Sequence, residues 1–167
     1  MSVGAAETWM ACTDRLRLRL MQAADVVALR EVTGPGLVDA VITQAGDRAL
    51  TPWTIVLRDG GAVVGFCGFF VRPVKGTTLG YGIVPEYRAR GLATEAASAV
   101  LDWAERHDVD VYSSIRPPNP ASVRVLEKIG MRWEAVFRKH RRAKNRWWDC
   151  HLYVLPREVW EASRRPD

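Results

Sequence analysis

"LGYGIVPEYRARGLATEA", Leu79 to Ala96, passes from a β-forming run through a proline and an Arg-Gly step into an alanine-rich segment. Its first part, with Thr77 and Thr78, reads as a strand stopped by Pro85. From Leu92 to about Arg106 the apolar residues recur at helical spacing. Leu92, Ala93, Ala96, Ala97, Val100, Leu101 and Ala104 form one stripe, with Glu95, Ser98, Asp102 and Glu105 turned away. A strand that enters a helix through a short loop aims free backbone N–H groups at that loop, and the helix dipole adds partial positive charge there. Gly91 lets an anion approach without a Cβ in the way. Leu92, Ala93 and Thr94 supply the first helical amides, and Arg88 and Arg90 add charge at the rim. This geometry suits a pyrophosphate, although a plain Arg-Gly turn that only starts a helix accounts for the same residues. The stretch lacks the Gly-Lys-Ser/Thr of a Walker A loop and the Gly-x-Gly-x-x-Gly of dinucleotide folds, which disfavours ATP and NAD.

Working outward, "RLRLRL" at Arg15 to Leu20 alternates strictly and predicts a half-buried strand. Ala23 to Val32 has amphipathic helical spacing and ends at "GPG", Gly34 to Gly36; a weaker helix is expected from Leu37 to about Ala45. "WTIVLR" (Trp53 to Arg58), the turn "DGG" and "AVVGFCGFFV" (Ala62 to Val71) make a hairpin signal. After the Leu92 helix, "VDVYSSI" is another strand. "NPASVRVLEKIG" then carries Asn119 as N-cap, Pro120 at the first helical position and Gly130 just past the end. Two closing strands, near Met131 to His140 and Trp147 to Leu155, flank a basic connection. The order predicts an α/β domain with a mixed sheet and helices on both faces.

The chain has 167 residues, 48% hydrophobic and 26% charged. That is the size and mixture of one domain over 1–167, with a core in about 13–160 and a flexible 1–12. Cys12, Cys67 and Cys150 are odd in number and far apart, which fits a reducing compartment rather than a disulfide framework. The N-terminal twenty residues lack a signal-peptide pattern and no stretch approaches a membrane span, so a cytoplasmic location is expected. A net charge of +5 favours an anionic partner: nucleic acid, a phosphorylated cofactor or an acidic protein.

"LGYGIVPEYRARGLATEA" followed by "NPASVRVLEKIGM" resembles the GNAT superfamily of acyl-CoA-dependent N-acetyltransferases, whose phosphate motif is matched by Arg88, Gly91 and Ala93. "DRLRLR", "IVLRDGGAVVGFCGF" and "NRWWDCHLYVLPREVW" extend the resemblance over nearly the whole chain, most closely to the RimJ/RimL-type branch, which acetylates N-terminal amines of ribosomal proteins. The resemblance implies a mixed, mostly antiparallel sheet of about six or seven strands with a splayed parallel pair. It implies acetyl-CoA as donor, its pantetheine arm lying in the splay like an added strand. Ile83 and Val84 would offer the backbone groups, Arg88, Ala89, Arg90, Gly91, Leu92, Ala93 and Thr94 the pyrophosphate cradle, and Asn119 and Ser122 would lie near the arm and thiol. Gly80 and Gly82 would permit a bulge or a close backbone approach, or simply relieve crowding around Tyr81. A backbone N–H near Val84 would polarise the thioester carbonyl.

The sequence departs from the family where many members carry a tyrosine as the thiolate's acid: this chain has Leu126, which leaves Ser122 as the alternative donor. Where relatives place a carboxylate base, this chain has Thr77 and Thr78, and a second family position falls at Arg141. Glu86, His140 and Asp149 are the remaining candidates, with a water chain as another route. For the acceptor, Trp53, Phe69, Trp133, Trp147 and Trp148 are candidate pocket walls, with Tyr81 between acceptor and thioester. "RKHRRAKNR", Arg138 to Arg146, has six Lys/Arg in nine residues and reads either as a solvated turn or as a contact for ribosomal RNA or an acidic acceptor. The expected activity is acetylation of a primary amine, first a protein N-terminus, with a small-molecule amine (antibiotic or metabolite) as the alternative. A non-catalytic basic RNA- or CoA-binding module is a third reading, and a homodimer is compatible with the fold.

Overall fold

The computed structural model describes residues 9–32, 50–72, 76–115, 119–143 and 145–156, so the helix expected from Leu37 lies outside the described residues. The sheet has eight strands: β1 (Trp9–Cys12), β2 (Leu16–Leu20), β3 (Pro52–Leu57), β4 (Val63–Arg72), β5 (Gly76–Ile83), β6 (Val111–Ile115), β7 (Arg132–Ala143) and β8 (Arg146–Val154). Their spatial order is β1-β2-β3-β4-β5-β6-β8-β7, antiparallel at every step except the parallel β5–β6 pair. The strand beyond the expected six or seven is β1, which forms inside the stretch read as flexible and pairs Trp9 with Arg19 and Cys12 with Arg17.

Helix α1 (Ala23–Ala28) is shorter than its periodicity suggested, whereas α2 (Leu92–Arg106) and α3 (Pro120–Lys128) form as read. In α3 the Asn119 side chain accepts from the Ser122 N–H, the expected N-cap. Helix α2 buries Leu92, Ala96, Ala97, Val100, Leu101 and Ala104 against one face of the sheet, and adds Trp103, which the stripe had missed. Trp103 stands edge-on to Trp53 at 5.3 Å, and Trp53 edge-on to Phe69 at 5.7 Å. On the other face Met21, Leu29, Phe66 and Val84 form a smaller cluster around α1.

Alternation predicted Arg19 in water, but it is only 8% exposed. Its Nη1 and Nη2 donate to the Asp25 carboxylate at 2.6 and 2.9 Å, and Asp25 also accepts from Thr54 Oγ1 and the Gln22 N–H, both at 2.8 Å. Burial alone would raise the Asp25 pKa; the Arg19, Gln22 and Thr54 donors outweigh it and hold the carboxyl below its ordinary range.

The basic stretch is strand rather than turn: β7 runs to Ala143 and β8 starts at Arg146. A bulge between Phe137 and Arg141 absorbs the extra residues, with Lys139 at φ 46° donating its N–H to Asp149 Oδ1 at 2.8 Å.

Removing the Asp25 carboxylate strips the buried Arg19 of two bonds. Asp25→Ala is expected to lower unfolding free energy by about 3 kcal/mol in a urea titration. Because the folded pKa is depressed, this contribution is present above the unfolded carboxylate pKa and is lost as pH falls through the folded value. Wild-type stability should therefore fall more steeply below about pH 4 than that of Asp25→Asn.

Candidate active site

Strand β5 is bonded to β4 along its full length, from Arg72↔Gly76 to Gly65↔Ile83, in an unbroken register. Its parallel register with β6 covers only Thr77↔Val111 and Thr78↔Tyr112. Just past that point the buried Ser113 Oγ donates to Leu79 O at 3.2 Å, and beyond it the strands part. Backbone groups of a strand address its two edges alternately. Leu79 O meets Ser113 and Ile83 O accepts from Arg88 Nε at 2.9 Å, whereas the Val84 N–H donates to Val64 O at 3.0 Å. Leu79, Tyr81 and Ile83 therefore face the gap, and Gly80, Gly82 and Val84 face β4. This corrects the expectation for Val84: its N–H is spent on β4, so Tyr81 and Ile83 carry the amides open to the splay.

The glycines of β5 have a steric cause. A Cβ at Gly80 would lie 2.4 Å from the Phe70 ring, and one at Gly82 would lie 2.7 Å from the Phe66 ring. They seat two rings on the α1 face and do not form a bulge with β4.

From β5 the chain makes a 3₁₀ turn, Pro85–Tyr87, and enters a loop in which Ala89 and Gly91 both have positive φ, 60° and 77°. The first helical bond of α2 runs from the Glu95 N–H to Gly91 O, and no side chain caps the helix. The amides of Leu92, Ala93 and Thr94 are thus left for a ligand. The position of Gly91 is open: a Cβ there would meet only Arg15 Nη2, at 3.6 Å. Both loop arginines are exposed and brace the backbone as well as supplying charge. Arg88 holds Ile83 O, while Arg90 Nη2 donates to Glu86 O at 2.9 Å with its guanidinium 5.2 Å from the Tyr87 ring centre. Open amides, positive dipole and two cations fit a pyrophosphate.

Tyr81 is half-buried, and its hydroxyl donates to Ser122 O at 3.1 Å, tying β5 to the first turn of α3. Burial is the main cause of its raised pKa, so the phenol stays protonated. The Ser122 N–H is taken by Asn119 Oδ1 at 3.1 Å; among the described residues the Ser122 hydroxyl takes no partner. Leu126 is fully buried in the main core and offers no acid. Glu86 is exposed on the 3₁₀ turn, and Asp149 is committed to the hairpin through Lys139 and, at 3.9 Å, Arg138. Nothing is described for the side chains of His140 and Arg141.

The aromatic pocket walls need revision. Trp53 and Phe69 are fully buried under α2 and cannot meet an acceptor without opening the core, whereas Trp133 and Trp147 are 54% and 55% exposed on the closing hairpin. Arg15 and Thr13, which the sequence does not single out, bind Glu95 in the first turn of α2, although the helical stripe predicts that Glu95 faces away.

A GNAT acetyltransferase domain model matches residues 15–132. The chain belongs to the GNAT acetyltransferase family. It is 30% identical over 165 residues to the Uncharacterized N-acetyltransferase YnaD of Bacillus subtilis, covering 89% of this chain and 97% of that one. The crystal structure of a GNAT-family acetyltransferase from Bacillus anthracis superposes with a TM-score of 0.70 at 26% identity, over 89% of this chain and 98% of that one. The fold is shared with yncA of Salmonella typhimurium, solved with acetyl-CoA, at TM-score 0.66 and 18% identity over 86% and 95% of the two chains. This acetyltransferase accordingly uses acetyl-CoA to acetylate an amine. Among the described residues no helix is long and apolar enough to cross a membrane, and no group of His, Cys, Asp and Glu is arranged to hold a metal ion.

Restoring the family's tyrosine at the Leu126 position should fail. Leu126→Tyr forces a larger polar ring into a full core and is expected to cost about 1–3 kcal/mol in a denaturant titration, without raising turnover.

Proposed function

We propose that this acetyltransferase acetylates the α-amine of a protein N-terminus, with Arg88–Thr94 cradling the pyrophosphate of acetyl-CoA and the Tyr81 and Ile83 amides pairing its pantetheine arm. The placement of the acidic groups carries the choice of acceptor. Attack on the thioester needs a neutral amine. An α-amine, with pKa about 8, reaches that form at neutral pH with little help, whereas a lysine or polyamine amine near 10.4 needs a strong base. Glu86 is exposed on the 3₁₀ turn before the phosphate loop and Asp149 is bound to the hairpin, so neither provides a buried base beside Ser122. The exposed Arg138, Lys139, Arg142 and Arg146 also disfavour a polycation as acceptor. Proteins sharing the fold at below 20% identity include a ribosomal-protein-S5-alanine acetyltransferase from Vibrio fischeri and a spermidine N-acetyltransferase chimera, so the fold alone does not choose.

Acetyl-CoA supplies an activated acetyl group. The residues of this chain would anchor its phosphates and align its arm against β5, and the Ser122 hydroxyl would relay the proton shed by the attacking amine to the thiolate that leaves as the C–S bond breaks. The basic hairpin suits an anionic platform such as ribosomal RNA beside the acceptor, which would make acetylation of such a target steeply salt-dependent.

Mass spectrometry of products from acetyl-CoA with an alanine-initiated peptide, the same peptide carrying a blocked N-terminus and an internal lysine, and spermidine tests the acceptor. The expected result is acetylation of the free α-amine with kcat/KM at least about tenfold above the other two, corresponding to about 1.4 kcal/mol of discrimination. Preference for spermidine would contradict the reading. Gly91→Glu should abolish acetyl-CoA binding in calorimetry, because it sets a carboxylate against the phosphates and strains the positive-φ turn, while melting curves check that the protein stays folded.

A further inference from the structure

Glu95 occupies the first turn of α2, beside the amides that face the phosphate loop. A free carboxylate there would be drawn to the helix N-terminus and would repel an incoming anion. Instead it is turned aside and bound by the β1–β2 connection. Arg15 Nε donates to Glu95 Oε2 at 2.6 Å and Arg15 Nη2 lies 2.5 Å from the same oxygen. The Arg15 N–H and the Thr13 hydroxyl donate to Oε1 at 3.1 and 2.5 Å. Thr13 Oγ1 in turn accepts from the Leu16 N–H at 3.0 Å, which ties the cluster to β2. The remaining arm of the guanidinium, Nη1, donates to Arg90 O at 3.0 Å, the carbonyl of the peptide bond that leads into Gly91. One arginine thus grips the helix carboxylate and the phosphate loop together.

We propose that Arg15 is a positioning residue for coenzyme A: it neutralises Glu95 and fixes the Arg90–Gly91 peptide, so that the first amides of α2 face the pyrophosphate without a competing charge. The inference rests on the reading of Arg88–Thr94 as the cradle. Burial opposes the ionisation of Glu95, but Thr13 and Arg15 outweigh it and keep the carboxyl charged at neutral pH, so the charge does need a counterpart. A fork is required because two targets lie in different directions. Lysine offers a point charge and cannot serve both. The Arg15 side chain is 52% exposed, so its effect is on the geometry and field of the loop rather than on global stability.

Calorimetric titration with coenzyme A, together with melting curves, separates the possibilities. Arg15→Gln is expected to bind about tenfold more weakly than wild type, because the Glu95 charge is left uncompensated and Arg90 O loses its donor. Glu95→Gln added to Arg15→Gln should recover most of that loss, because the uncompensated carboxylate is gone. Arg15→Lys should bind with intermediate affinity and carries the test if Arg15→Gln does not fold. Gly91→Glu should lose binding altogether. Wild-type affinity in Arg15→Gln alongside lost binding in Gly91→Glu would overturn the role of Arg15 and leave the cradle standing. Equal weakening in Arg15→Gln and the double variant would also overturn it, since neutralisation would then contribute nothing. Retained binding in Gly91→Glu would overturn the cradle itself, and with it the inference.

Discussion

Strand β5 is hydrogen-bonded along one edge for its whole length and along the other for two residues. A backbone N–H left without a partner in a partly enclosed place costs free energy comparable to a lost hydrogen bond. The splay that starts after Thr78 therefore creates a demand for an extended partner, which the amides of Tyr81 and Ile83 face. The rest of the site is arranged around that demand. Tyr81 spans from β5 to Ser122, Ser113 closes the inner end of the gap, and Arg88 holds Ile83 O at its outer end.

The outer end of the gap leads into the phosphate loop, where backbone strain and charge serve the same purpose. Ala89 and Gly91 both adopt positive φ, which turns the chain sharply enough for α2 to present three uncapped amides. A residue with a Cβ at φ near 60° is uncommon, and neighbouring contacts must hold it. Arg90 bonds back to Glu86 O across that turn, and Arg15 fastens Arg90 O from the β1–β2 connection, 75 residues away in sequence. The loop is thus shaped before any ligand arrives, which lowers the ordering cost of binding.

Much of this was legible in the sequence wherever the cause was local. The limits of α2 follow from an uninterrupted apolar stripe, and Asn119-Pro120 announces α3 through cap chemistry that involves only its own first turn. The phosphate loop was legible because Arg88 and Gly91 lie within one short segment. What could not be read depends on distant partners. Arg19 looked solvent-facing because its counter-ion Asp25 sits on α1, and Glu95 looked solvent-facing because Arg15 comes from 80 residues away. Trp53 was an attractive pocket residue until α2 placed Trp103 over it. Of the two residues expected to offer backbone groups, Ile83 faces the gap and Val84 faces β4, because edge parity is fixed by pairing with β4, which sequence does not show.

Edge parity also gives the most direct check on the central claim, that the cofactor arm adds to β5 as a strand. Amide hydrogen exchange followed by NMR, with and without acetyl-CoA, resolves single residues along Gly80–Val84. The account predicts that the Tyr81 and Ile83 amides become protected on binding, while Gly82 and Val84, already bonded to β4, change little. Uniform protection along the segment, or protection confined to Gly82 and Val84, would contradict it.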